Sequence, residues 1–347
     1  MKALSKTFLL ALSINLLLFS CKKTSSDSSP TPSAQGISSW TAINFPNQDS
    51  LSDVFATSVN TIYACGAYGN FYKSANAGQD WELIEASYGS WMSGICFTDV
   101  NTGYLSGNNS IPAATWKTID AGATWQKHNL PSIGDKYTSY AVHFPTASIG
   151  YEVGEGGETY KTTDAGEHWT LNATGSSQPF YSVFFTSSTT GYIGGGNNTL
   201  MKTTDGGTTW NALTTNLSAN ADSYIQAIYF LDANTGYITG GANPYFRNSN
   251  SSAPSFILKT TDGGATWTSL SNPVTGDDLF DIYFTDASIG YCIGGNAANY
   301  TSTILKTTDA GVTWTVQPSS GHSLSKMCYV DGVMYCVGGI GTVLKGN

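Results

Sequence analysis

The stretch TTDGGATW at residues 260–267 is one of six copies of an eight-residue block that ends in tryptophan. The other copies are SANAGQDW (74–81), TIDAGATW (118–125), TTDAGEHW (162–169), TTDGGTTW (203–210) and TTDAGVTW (307–314). The block recurs about every 40 to 57 residues, which is the spacing of a structural repeat. The chain is therefore predicted to be an array of small repeated units.

Each unit contains four short segments rich in aromatic and β-branched residues. In one unit they are YSVFFT (181–186), GYIGGG (191–196), TLMKTT (199–204) and TTWNAL (208–213). Glycine, asparagine, serine and threonine separate them, as they separate strands joined by turns. No segment beyond the N-terminal leader has sustained helical periodicity. Four-stranded units repeated radially predict an all-β fold, the β-propeller.

The two ends of the chain complement each other. The last repeat has strand-like segments at 326–330, 333–338 and 341–345 but stops before its tryptophan, whereas SSWTAINF (38–45) reads as a fourth strand without the first three. We therefore predict seven four-stranded blades, with the last blade closed by the N-terminal strand around Trp40. Such closure removes free sheet edges, and we expect a monomer.

The tryptophan-ended block resembles the Asp-box, or BNR, repeat of sialidases, sortilin-type receptors and some glycosidases. An aspartate in such a turn can accept backbone N–H groups, and the glycine after it supplies backbone freedom. We expect a structural role for this aspartate and neither a metal site nor a cofactor, because the acidic spacing of a calcium loop is absent. The aspartates concerned are Asp120, Asp164, Asp205, Asp262 and Asp309, and the first copy has Asn76 instead.

The longer unit, with GY before the second strand and LKTTDGGATW or YKTTDAGEHW at the third, resembles the photosystem II stability/assembly factor-like branch of Asp-box propellers. The resemblance covers nearly all of residues 38–347. It implies the propeller fold, and it carries little information on activity. The photosynthetic members are associated with an arginine-rich patch, which this chain cannot form because its sole arginine is Arg247.

Residues 1–20 are typical of an export signal. Lys2 and Lys6 precede an apolar run from residue 8 to 19 that is too short to span a membrane. The tetrapeptide LFSC (18–21) resembles the lipobox of bacterial lipoproteins, which implies that Cys21 is lipidated and begins the mature chain. An ordinary cleaved signal is the alternative.

Residues 22–37 are rich in serine, threonine and proline, so we expect residues 21–37 to be a lipidated flexible tether. Lys22 after the cysteine resembles lipoproteins released to the outer membrane. The prediction is therefore an outer-membrane lipoprotein of the cell envelope, anchored to the membrane by lipid, with the periplasmic and the surface-exposed side both open.

The mature chain is acidic, with 13 basic and 24 acidic residues after Cys21. A protein of this charge does not hold a phosphate backbone by counterion release, so nucleic acid is excluded as a partner. Five cysteines remain after the anchor, each in a strand-like segment, and we interpret them mostly as buried thiols. If a disulfide exists, Cys328 and Cys336 form the favoured pair because they flank a turn.

The loops that precede the first strands are expected to surround the mouth of the propeller channel, opposite the Asp-box turns. Aromatic residues there suit sugar faces or apolar peptide side chains, with packing between blades as the alternative. They are Trp91, Tyr140, Phe180, Tyr181, Tyr224 and Phe280. A long insertion at 240–255 displays Tyr245, Phe246 and Arg247 as further candidates, unless it is a loop without function.

Two groups of charged residues stand out in the repeat alignment. Asp53, Asp281 and Lys326 precede equivalent aliphatic residues in blades one, six and seven, which predicts a cluster of charges in the channel, paired or at a ligand site. His143 and Glu152 replace aromatic and aliphatic residues of one blade. The inferred hairpin register places them opposite each other, so we expect a partly buried pair with a raised histidine pKa.

For function, the sequence favours a lipid-anchored, non-catalytic propeller that binds a protein or a glycan and acts as an assembly module. The alternative is a glycoside hydrolase with two carboxylates on the propeller face. Its candidate residues are Asp53, Asp277, Asp278, Asp281, Glu155 and Glu158. A sialidase is excluded because sialidases hold the carboxylate of their substrate with three arginines, whereas this chain has only Arg247.

Overall fold

The computed structural model describes residues 36–85, 91–108, 113–131, 138–217, 223–242, 254–296 and 300–347. These residues form seven four-stranded antiparallel sheets and one short 3-10 helix at Ala67–Gly69. The predicted all-β, seven-bladed propeller is confirmed. No helix within the described ranges is long and apolar enough to cross a bilayer.

Blades one to four each take their strands in chain order. Blade one is β2 (Leu51–Ala56), β3 (Ile62–Gly66), β4 (Asn70–Ser74) and β5 (Glu82–Glu85). Blade two is β6 (Trp91–Phe97), β7 (Gly103–Asn108), β8 (Ala114–Thr118) and β9 (Gln126–Asn129). Blade three is β10 (Ser139–His143), β11 (Gly150–Gly154), β12 (Glu158–Thr162) and β13 (Thr170–Ala173). Blade four is β14 (Phe180–Phe185), β15 (Gly191–Gly195), β16 (Leu200–Thr203) and β17 (Asn211–Ala212).

Blades five and six follow the same order, and blade seven combines both ends of the chain. Blade five is β18 (Ser223–Phe230), β19 (Gly236–Ala242), β20 (Phe256–Thr260) and β21 (Thr268–Ser269). Blade six is β22 (Asp278–Phe284), β23 (Gly290–Asn296), β24 (Thr301–Thr307) and β25 (Thr315–Gln317). Blade seven is β26 (Leu324–Val330), β27 (Val333–Gly338), β28 (Val343–Gly346) and the N-terminal strand β1 (Trp40–Ala42).

The closure of the ring confirms the prediction for Trp40. Strand β1 pairs antiparallel with β28, and Trp40 lies opposite Gly346. The first strand of each blade contacts the first strand of the next, and β26 of blade seven contacts β2 of blade one. These seven first strands therefore line the central channel, while the fourth strands lie at the outside.

Aromatic stacking between blades explains the recurrent Gly-Tyr pair. Tyr192 of blade four stacks on Phe230 of blade five with ring centroids 4.1 Å apart, and Trp267 meets Phe230 edge-on at 6.2 Å. Phe185 lies so close over Gly191 that a Cβ there would be 2.5 Å from its ring. Glycine thus leaves room for the phenylalanine of its own blade, and the tyrosine reaches the next one.

The Asp-box turn is held by a repeated set of hydrogen bonds. Thr260 donates its hydroxyl to Asp262 at 2.8 Å and accepts the N–H of Gly264, whose φ is +84°. Asp262 also accepts the hydroxyl and the N–H of Thr266, at 2.6 and 2.9 Å. These bonds lower the pKa of Asp262 to about 2. Asp120, Asp205 and Asp309 are held in the same way, and in blade three a ring nitrogen of His168 takes the place of the threonine hydroxyl, 2.7 Å from Asp164.

A carbonyl of the Asp-box turn in each of blades two to six is also bound by the preceding blade. Tyr237 and Lys259 of blade five both donate to the carbonyl oxygen of Ala310 in blade six, at 3.0 and 2.9 Å. The same two-donor clasp joins Tyr192 and Lys202 to Gly263. It also occurs between blades one and two and between blades three and four. The repeated tyrosine and lysine therefore hold neighbouring blades together.

The five cysteines after Cys21 form no disulfide within the described part of the chain, and four of them are buried. The suggested Cys328–Cys336 pair is wrong because of register. Cys336 lies opposite Met327, whereas Cys328 lies opposite Tyr335. Adjacent strand positions face opposite sides of a sheet, so the two thiols point away from each other.

We expect the two-donor clasp to show energetic coupling. Tyr237→Phe and Lys259→Met should each lower the free energy of unfolding by about 1 kcal/mol, because the other donor still satisfies Ala310. The double variant should lose more than the sum, by roughly 0.5 kcal/mol or more, since the carbonyl then has neither donor. Urea unfolding measures all three changes.

The matched control combines Tyr237→Phe with Lys202→Met, whose side chains donate to different carbonyls. These two changes should add. Additive behaviour of the Tyr237 and Lys259 pair would contradict a shared clasp.

Candidate functional site

Each of the seven first strands carries a one-residue bulge, and these bulges shape the wall of the channel. In blade one, for example, Leu51 pairs with Gly66 and Asp53 with Cys65, so Ser52 is the additional residue. A bulge bends its strand and redirects the side chain. We call the seven bulge residues the bulge ring: Ser52, Ser93, Tyr140, Tyr181, Gln226, Phe280 and Ser325.

The bulges leave a signal in the sequence. Buried residues on either side lie three positions apart, as Leu51 and Val54 do, or Leu279 and Ile282. An uninterrupted strand would place same-face residues two or four apart. The odd spacing in every repeat marks the bulge.

Three of the predicted mouth residues contact one another across three blades. The rings of Tyr140 and Tyr181 stack with centroids 4.7 Å apart, and Tyr224 meets Tyr181 edge-on at 5.5 Å. Tyr140 and Tyr224 are partly exposed, while Tyr181 between them is nearly buried. We call these residues the tyrosine arc. It forms a continuous aromatic surface on the channel side of blades three to five.

The other predicted aromatic residues are placed differently. Trp91 donates its indole N–H to Ser52 at 2.6 Å, joining blades one and two. Phe280 is half-buried at the bulge of blade six. Phe180 is fully buried in the core with Tyr151, so its assignment to the mouth is wrong. Cys21, Tyr245, Phe246 and Arg247 lie outside the described residues.

The opposite side of the channel is charged. Lys326 of blade seven lies 3.5 Å from the Oδ1 atom of Asp281 in blade six, and it also acts electrostatically on Asp53 in blade one. Their positions directly follow the bulges. The structure thus brings Asp53, Asp281 and Lys326 together, and we call them the channel cluster.

The two aspartates also connect blades. Asp53 accepts the backbone N–H of Ile95 in blade two at 2.8 Å, and Asp281 accepts that of Met327 in blade seven at 3.0 Å. Burial raises the pKa of Asp53 to about 7 against the opposing effect of Lys326, and it also raises the pKa of Asp281. The side chains of Lys326 and Asp281 retain 28% and 14% of their exposure. The cluster is therefore desolvated but still open to the channel.

Two members of the bulge ring carry polar atoms that lack a hydrogen-bond partner among the described residues. They are the amide nitrogen of Gln226 and the hydroxyl of Ser93, in side chains that are 7% and 9% exposed. A buried donor without an acceptor costs free energy. Both residues lie at bulges of channel-lining strands, in blades five and two.

The expected His143–Glu152 pair is not formed. Glu152 lies opposite Val142, and His143 lies opposite Tyr151, so the two side chains point to opposite faces. His143 stacks on Phe184, and burial lowers its pKa to about 4 instead of raising it. Glu152 is fully buried and accepts hydroxyl groups from Thr115 and Ser139.

Of the six carboxylates considered for hydrolysis, Asp53 and Asp281 lie together in the channel cluster, and the other four lie elsewhere. Glu155 and Glu158 line a small cleft between blades two and three, beside Ser139. Asp277 accepts the hydroxyl of Thr303 at 2.5 Å, and Asp278 is buried. The described ranges contain no group of three or more side chains that could hold a metal ion.

The family model described as photosynthesis system II assembly factor YCF48 matches residues 73–176 and 174–277. These matches cover more than half of the chain. The chain belongs to this family. The matched residues run from the end of β4 in blade one to the start of blade six.

Solved structures share the fold at low sequence identity. YCF48 bound to a D1 peptide superposes with a TM-score of 0.69 at 16% identity, over 88% of this chain and 96% of that one. YCF48 from Cyanidioschyzon merolae gives 0.68 at 16%, over 89% and 99%. A GH74 xyloglucanase from Xanthomonas campestris gives 0.68 at 13%, over 88% of this chain and 53% of that one. No curated protein sequence matches the chain.

Buried Glu152 should make stability depend on pH. Burial raises its pKa from 4.5 to about 7, so the folded state holds the proton more tightly than the unfolded state does. The unfolded state therefore loses this proton near pH 4.5 and the folded state only near pH 7, so the free energy of unfolding falls as the pH rises between these two values. Glu152→Gln removes this titration, and the melting temperature of the variant relative to wild type should be higher at pH 8 than at pH 5.

Glu82→Gln, at an exposed site in β5, is the control and should show no such difference. An equal effect of Glu152→Gln at both pH values would contradict the assignment. Thermal unfolding followed by circular dichroism provides the measurement.

Proposed function

We propose that this protein is a lipid-anchored, non-catalytic propeller that binds a protein partner in the cell envelope and serves in its assembly. The observation that carries the proposal is the tyrosine arc at the channel mouth, next to buried polar atoms that lack partners. Large aromatic side chains on a rigid scaffold are typical anchors for a partner. Family membership and the peptide-bound relative favour a protein over a glycan.

The first described residues of the chain support a binding surface that faces away from the membrane anchor. Ile37 is buried, and its carbonyl accepts the ammonium group of Lys306 at 2.9 Å, close to the Asp-box turn of blade six. Gly36 lies beside Ile289 and Tyr291 of the same blade. A tether that ends before Gly36 would therefore join the propeller on the Asp-box face. A lipid on Cys21 would leave the opposite face, with the tyrosine arc, directed away from the attachment point.

The geometry favours binding over hydrolysis. Asp53 and Asp281 each hold a backbone N–H of a neighbouring blade, and Lys326 lies next to Asp281. Carboxylates engaged in this way stabilise the wall of the channel. The similarity to the GH74 enzyme, at 13% identity, concerns the fold alone.

The tyrosine arc should be required for partner capture. We expect tagged wild-type protein from detergent-solubilised native membranes to recover a specific protein, and Tyr140→Ala with Tyr224→Ala to lose it. A second variant with Tyr245, Phe246 and Arg247 replaced by alanine tests the insertion at 240–255. The readout is quantitative mass spectrometry of the recovered proteins.

Val312→Ala with Val316→Ala is the matched control, because both valines are exposed on blade six away from the channel. Melting temperatures establish that each variant is folded. Recovery of the same protein by the folded arc and insertion variants would reject this surface, and recovery of none by wild type would reject a stable protein partner.

The anchor is tested separately. Wild-type protein should incorporate an alkyne-labelled fatty acid and fractionate with membranes, and Cys21→Ser should abolish both because the thiol carries the lipid. Cys328→Ser, at a partly exposed thiol of the propeller, should change neither. Membrane fractionation of an unlabelled Cys21→Ser protein would contradict lipid anchoring.

A further inference from the structure

The channel mouth has two chemically different sides. Blades three to five present the tyrosine arc, whereas blades six, seven and one present the channel cluster. Five members of the bulge ring fit this division, with serines at Ser325, Ser52 and Ser93 and tyrosines at Tyr140 and Tyr181. Phe280 of blade six and Gln226 of blade five are the exceptions. A molecule that fills the mouth meets aromatic rings on one side and carboxylates on the other.

The buried polar groups of Gln226 and Ser93 indicate which hydrogen-bonding groups the ligand carries. The amide nitrogen of Gln226 is a donor and needs an acceptor, and the hydroxyl of Ser93 can use either kind of partner. Both side chains are at least nine-tenths buried and belong to the bulge ring. A peptide carbonyl is an acceptor of the required kind.

The excess of negative charge in the channel cluster indicates that the ligand carries a positive charge. Within the channel cluster, Lys326 balances one of two aspartates, and the mature chain carries 24 acidic against 13 basic residues. A cationic side chain complements such a site, and tyrosine faces also attract cations. A neutral sugar would stack on the rings but would add no positive charge for the second carboxylate of the channel cluster.

We infer that the channel mouth binds an extended peptide segment of the partner and takes up one arginine or lysine side chain between the tyrosine arc and the channel cluster. This inference rests on the proposed function, since it names the chemistry of the partner at the same face. The peptide backbone supplies the carbonyl acceptor to Gln226, and the cationic group lies toward Asp53 and Asp281.

Binding should depend on pH through Asp53. The charged and titratable groups around it are Lys326, Asp281 and the buried thiol of Cys65, and its pKa is raised to about 7 by burial. A bound cation favours the ionised carboxylate. Affinity should therefore increase from pH 6 to pH 8, and binding near pH 7 should release protons.

The test compares two blocked peptides that differ in charge alone. The probes are acetyl-Leu-Arg-Leu-amide and the same peptide with neutral citrulline in place of arginine, titrated into the full propeller at pH 7.5. The indole N–H signal of Trp91, which is bonded to Ser52 at the bulge ring, reports occupancy by NMR. We expect the arginine peptide to bind about tenfold more tightly or better, as for a hydrogen bond to a charged group.

Two variants with opposite expected effects keep the test decisive. Asp53→Asn should remove most of the preference for arginine, and Lys326→Met should strengthen arginine binding because a competing cation is lost. Asp99→Asn, in a turn distant from the bulge ring, is the control and should leave both affinities unchanged. Melting temperatures identify any variant that fails to fold. If one of Asp53→Asn and Lys326→Met does not fold, the arginine preference of the other tests the inference.

Equal affinity for the two peptides, no shift with either at millimolar concentration, or tighter binding of neutral maltotriose would overturn the inference. Failure here is distinguishable from failure of the proposed function. If native membranes yield a partner whose capture needs the tyrosine arc but is unchanged in Asp53→Asn and Lys326→Met, the binding function stands and the cationic ligand is rejected.

Discussion

The structure depends on the contact that each blade makes with the next through its second-strand tyrosine. Tyr192 lies over Phe230 and donates its hydroxyl to Gly263, so both the ring and the polar atom are satisfied only by the neighbouring blade. A single blade cannot bury this residue. Each blade therefore requires a successor, and the requirement ends only where blade seven meets blade one. Tyr335 completes that contact by donating to the carbonyl of Val59.

The same dependence explains why the propeller could be predicted from the sequence. The repeated tyrosine donates to a turn carbonyl of the next blade in blades one to five, so its recurrence in the sequence follows the succession of blades. The partner identities were not predicted, because a repeat shows that a residue is needed but not what it touches. Lys259 illustrates this, since its acceptor lies 51 positions away.

The errors came from register. Placing His143 opposite Glu152, or Cys328 beside Cys336, requires pairing that is correct to a single residue, and a shift of one moves a side chain to the other face. At the channel mouth, Tyr140, Tyr181 and Tyr224 could be predicted because aromatic residues before a strand are conspicuous. Gln226 and Ser93 could not, because the spacing of buried residues marks the position of the bulge but shows neither the burial of the bulge side chain nor its lack of a hydrogen-bond partner.

The joining of both chain ends in blade seven has a mechanical consequence. Ser38 donates its N–H to the carbonyl of Asn347 at 2.7 Å, and β1 is the outermost strand of its sheet. A force applied through the N-terminal segment would peel β1 from β28 one hydrogen bond at a time, a geometry that resists load less than sliding does. Ile37, buried beside Tyr291, and Trp40, edge-on to the same ring at 6.1 Å, would bear that load first. The packing of these two side chains thus protects the hydrogen bonds between β1 and β28 from the applied force.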